Sequence, residues 1–158
     1  MLRFLAEGDR RHRLERGDGT PVGHISGQTI RIIGLTSEDE ACDAAAPVRR
    51  AFDAALAQQY PGWRRDGSSD ARRLVHDGAY EWISDGNSPI ARLIRPRADR
   101  STDESFAIEF VLPSYANEGV AIAAADTMVR ALDEFRSARA AAAWRHDGRA
   151  EAPLASSH

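Results

Sequence analysis

One cysteine, Cys42, stands among 158 residues, so no intrachain disulfide framework holds this chain together. Ala41, Ala44 and Ala45 lie around it, the setting of a small buried helix residue and not of a nucleophile. Long apolar runs are missing too, and nothing approaches the roughly 18 residues that read as a membrane helix. The opening MLRFLAEGDRRHR has no apolar core of signal-peptide length, and cytoplasmic residence is the expectation. A strong charge of one sign is also absent. A net charge of −3 and a pI near 5.9 argue against a dedicated nucleic-acid binder.

Motifs of known chemistry are equally scarce. The chain contains no HExxH, CxxC, Walker loop, GxGxxG or nucleophile elbow. His12, His24, His76, His146 and His158 are scattered without ligand spacing, so no metal, cofactor or catalytic residue is assigned. The Asp-Gly pairs at 18–19 and 85–86 are turn signals first.

What is present describes a folded domain. A hydrophobic fraction of 42 % and a charged fraction of 28 % suit one core, expected over residues 1–145 with a flexible tail at 146–158. RHRLER reads as a strand, and VGHI and TIRII read as a hairpin turning at SGQ. Ser37 and Glu40 have capping-box spacing, and Glu38, Asp39 and Glu40 suit the positive end of a helix. The helix they start carries an apolar stripe to about Gln59, with Pro47 predicting a kink or a break into two helices. After a connection at 60–71, ARRLVHDG, AYEWISDG, SPIARLIRP and SFAIEFVLP read as strands. In the last, Phe106, Ile108, Phe110 and Leu112 should face the core. A second helix is expected over 118–136, with AAAAW at 140–144 able to extend it.

The two helices carry nearly the same phrase: AAAPVRRAFDAAL at 44–56 and AADTMVRALDEF at 124–135. An offset of 80 also brings Ile30 and Ile32 onto Phe110 and Leu112. An offset of 68 brings Pro21-Val22 onto Pro89-Ile90. The predicted fold is therefore α+β, a two-layer antiparallel sheet with two principal helices packed on one face. It duplicates a β-β-β-α unit, in halves of about 11–60 and 71–137, with room for an additional strand at the front of the second.

Glu109, between Ile108 and Phe110, is the most suggestive polar residue. On a solvated face it is an ordinary outward strand residue. On a covered face it needs a partner, for which Arg31, Arg92 and His24 are candidates. Tyr80 and Trp82 share one side of their strand and, with Glu109, form the candidate ligand-binding set. Arginines cluster at 64, 65, 72 and 73 and at 92, 95, 97 and 100, but interspersed acids make these mixed-charge surfaces. The functional expectation is a non-catalytic interaction or scaffold domain that self-associates as a homodimer. A small-molecule-binding regulatory domain with an aromatic-lined site is second, and an enzyme assembled from distant residues is third.

Overall fold

Alternating polar and apolar residues build eight strands, and helical periodicity builds two helices. The first half holds β1 (Leu2–Gly8), β2 (Arg11–Arg16), β3 (Pro21–Ser26), β4 (Thr29–Leu35) and α1 (Glu38–Gln59). The second holds β5 (Arg73–Asp77), β6 (Tyr80–Ser84), β7 (Pro89–Ile94), β8 (Phe106–Val111) and α2 (Glu118–Ser156). The computed structural model describes residues 2–63, 73–86, 88–96 and 105–156, the last stretch with side chains to residue 145. Arg64, Arg65, Arg72, Arg97 and Arg100 of the basic clusters fall outside the described residues, as do the side chains of His146 and His158.

All eight strands join one antiparallel sheet in the order β1-β2-β3-β4-β8-β7-β6-β5, with both helices packed on one face. This is the expected two-layer α+β architecture. The first half, however, has one strand more than expected, so that both halves run β-β-β-β-α, because LRFLAEG pairs with β2 as an edge strand. An edge strand is paired on one side only, and Leu2, Phe4 and Leu5 are no more than half-buried, so its pattern is weak.

The echo in the sequence has a geometric counterpart. β4 and β8 meet at the centre of the sheet, where Ile30 pairs with Phe110, the residues that the offset of 80 makes equivalent. A pseudo-twofold axis therefore passes between them. The helices start 80 residues apart, at Glu38 and Glu118, with equivalent caps. Ser37 Oγ accepts from the Glu40 N–H at 3.0 Å, and Asn117 Oδ1 accepts from the Val120 N–H at 2.9 Å. The outer strands depart from this symmetry. Ile25 faces Ile30, whereas Leu93 faces Ile108, two residues from the counterpart of Ile30. A slip of two keeps every side chain on its proper face.

The break into two helices at Pro47 and the end of the second helix near residue 136 are corrected. α1 is continuous through Pro47, because Ala41, Ala44, Ala45, Ala46, Val48, Phe52 and Leu56 are buried on both sides of it. Packing carries the helix past the missing N–H. α2 continues beyond residue 136 through the segment read as a tail, to Ser156. The run ARAAAAWR has strong helix propensity and no early breaker.

The helices exchange halves. α1 lies over β7 and β8 of the second half, and α2 lies over β3 of the first, both also touching β4. Phe52 of α1 stacks on Phe110 of β8 at 5.5 Å, with Trp63 edge-on at 6.2 Å. The Trp63 indole donates to Asp53 at 3.1 Å, so this ring is committed to the fold.

Candidate functional site

Strand parity determines what the helix-free face of the sheet presents. Phe4, Leu14, Gly23, Ile32, Ile108 and Leu93 form a cross-strand row facing the helices. One residue along, the chemistry inverts. Leu5, Arg13, His24, Arg31, Glu109, Arg92, Trp82 and Val75 stand directly opposite one another, one from each strand, across the whole uncovered face.

Glu109 anchors this row. Its carboxylate is buried although no helix covers it, because two arginines close over it. Arg31 donates to Oε2 from Nε at 3.0 Å and from Nη2 at 2.8 Å. Arg92 forms an ion pair with the other oxygen, its Nη2 3.0 Å from Oε1. Both oxygens are thus engaged, which is what a buried carboxylate requires. Arg92 also lies over the Tyr80 ring at 4.6 Å and stands opposite Trp82. Tyr80, Trp82 and Glu109 therefore come to one face, joined through Arg92. They do not line one hollow. Tyr80 and Arg92 border a hollow of about 300 Å³ on the β6–β7 side, and Glu109 borders another beside β3 and β4.

The second hollow, about 450 Å³, lies where the β1–β2 and β3–β4 turns meet. Glu7, Arg11, His24, Ser26, Thr29 and Arg31 line it with Glu109. The two turns are tied by the Gly27 N–H donating to the Arg10 carbonyl at 2.9 Å. Burial holds the His24 imidazole below its ordinary pKa; Glu7 pulls the other way, and Arg31 and Arg13 add smaller pushes in the direction of burial. His24 is then a neutral spacer between two cations. Thr29 Oγ1 donates to the Ser26 carbonyl at 2.9 Å, away from any nucleophile–base pairing. His12 also borders the hollow, but its Nε2 lies 2.9 Å from Glu118 Oε1 at the start of α2.

Arg31, Arg92 and His24 were reachable from the sequence as neighbours of Glu109. Arg11, Arg13 and Glu7 carried no motif, and only the correct β1–β2 register brings them to the same face. Chemically, the one buried carboxylate of the row has both oxygens engaged by arginines. Among the described residues, no group of three or more His, Cys, Asp or Glu is placed to hold a metal ion, and no helix is long and apolar enough to cross a membrane. No family model, curated protein or solved structure matches the chain.

Proposed function

We propose that this chain is a non-catalytic interaction domain that pairs with a second copy of itself through the free edge of β5, extending the sheet across a twofold axis. The observation that carries this is the charge order of Arg73-Leu74-Val75-His76-Asp77 on an edge strand whose outer side meets no strand among the described residues. Antiparallel pairing of two such edges centred on Val75 sets each Arg73 opposite an Asp77. It also joins the two cross-sheet rows through Val75, which is 37 % exposed. The edge has no proline and no inward charge to block pairing. A cytoplasmic homodimer is the form we propose, where a lone cysteine stays reduced.

Light scattering after size exclusion tests the reading by charge exchange. The native chain should run as a dimer. Asp77→Arg and Arg73→Asp should each run as monomers with unchanged far-UV circular dichroism, and the double exchange should restore the dimer. A monomeric native chain, or single exchanges that leave the dimer intact, would sink it. A second reading, a small-molecule-binding regulatory domain using Tyr80, Trp82 and Glu109, is favoured by Arg92, which touches Glu109 and Tyr80 and stands opposite Trp82.

A further inference from the structure

The hollow between the β1–β2 and β3–β4 turns carries charges that the fold does not use. Arg11 lines it and makes no ion pair or side-chain hydrogen bond among the described residues. Arg31 spends Nε and Nη2 on Glu109, and its side chain remains 41 % exposed with Nη1 uncommitted. Glu7, on the same rim, has only a stretched pairing to Arg13 at 3.9 Å. The Glu109 charge is already offset by Arg31 and Arg92. Arg11, the uncommitted side of Arg31 and the carboxylate of Glu7 are therefore left facing the same space. Ile25 is the sole apolar residue of the lining, so an apolar ligand has little to bury.

We propose that this hollow binds a small zwitterion, an α-amino acid or dipeptide, whose carboxylate is taken between Arg11 and Arg31 and whose ammonium faces Glu7. Guanidinium groups suit a planar carboxylate, and the Ser26 hydroxyl and a neutral His24 add hydrogen-bonding capacity without further charge. A dianion such as phosphate or a dicarboxylate meets Glu7 on the same rim and is disfavoured. The volume of about 450 Å³ has room for a ligand of this size.

The proposal stands apart from self-association, since its residues lie on β1–β4 and not on β5. Its test is NMR on the full chain, following the His24 ring and the saturation-transfer signal of glycylglycine, alanine, succinate and inorganic phosphate. Glycylglycine or alanine should bind saturably and move the His24 resonances. Arg11→Ala should weaken that binding by roughly tenfold or more. Glu7→Gln should weaken the zwitterions and strengthen succinate. Both residues are exposed, and a retained one-dimensional spectrum reports that the fold is intact. Succinate or phosphate binding the native chain as tightly as the zwitterions would overturn the proposal. So would silence at His24 with every probe, or binding indifferent to Arg11. Repeating the titration on Asp77→Arg separates this outcome from the fate of the dimer.

Discussion

At the scale of single residues, the basic chemistry of this chain is all arginine: each of its 21 basic residues is Arg and none is Lys. The Glu109 clamp shows the use of that choice, since one guanidinium presents two nitrogens to one carboxylate oxygen. The titrating neighbours set two windows of acid sensitivity. His24 is held below its ordinary pKa, so folding disfavours its protonation, and stability falls as pH drops from about 6.5 toward its folded value. Burial pushes the Glu40 carboxyl up, but hydrogen bonds from Arg136 and Thr36 outweigh that and hold it below the usual range. Arg95 holds Glu81 down in the same way. A carboxylate lowered by folding contributes stability above its unfolded pKa, about 4.3, and loses it as pH falls through the folded value. Urea unfolding from pH 8 to 3 should therefore show two declines. His24→Gln should remove the upper one, and Glu40→Gln should flatten the lower. A His24→Gln profile that still declines from pH 6.5 would show that another group sets the upper window. Glu40 was legible from Ser37 as a cap, because capping is local. Its bond to Arg136 was not, because 96 residues separate the two. Glu109 was singled out by its apolar neighbours, but its burial depends on Arg31 and Arg92 in other strands, which only the sheet order supplies.

At the scale of elements, the strongest periodicities were the most legible. β8 alternates cleanly and buries Ile108 and Phe110, and the start of α1 was marked by its cap. β1 was not legible, since an edge strand half-buries its apolar residues and so leaves a faint pattern. Gly23 shows what a strand position can hide. It faces Leu14 on one side and Ile32 on the other in the helix-facing row, and a Cβ there would lie 2.5 Å from the Arg31 carbonyl oxygen. That oxygen is backbone, so it can yield only by moving β4 away from β3. Gly23→Ala should cost roughly 1–3 kcal/mol in guanidinium unfolding, the range for overpacking a close contact. Because Arg31 moves with its backbone, the His24 resonances should shift as well. A variant of native stability would mean that β3 and β4 separate freely at this point.

At the scale of the whole molecule, the exchange of helices between halves determines what can fold. Four strands and their own helix do not complete a core, because α1 packs chiefly on β7 and β8, and α2 covers β3. The first half alone leaves Phe52 without Phe110, and β4 without its partner strand. An isolated unit of this kind buries its sheet only by pairing β4 with the equivalent strand of another unit. The pseudo-twofold axis through Ile30 and Phe110 builds that pairing into one chain. Fragments 1–63 and 64–158 should therefore each lack cooperative unfolding, and mixing them should restore β-sheet dichroism and dispersed amide resonances with one-to-one stoichiometry. Complementation follows because the missing contacts are the broad faces of a sheet and two helices, which two chains can supply as well as one. Cooperative folding of 1–63 alone, at concentrations where it is monomeric, would show that α1 can close over its own strands. The helix exchange would then be a consequence of tandem linkage and not a requirement of the unit.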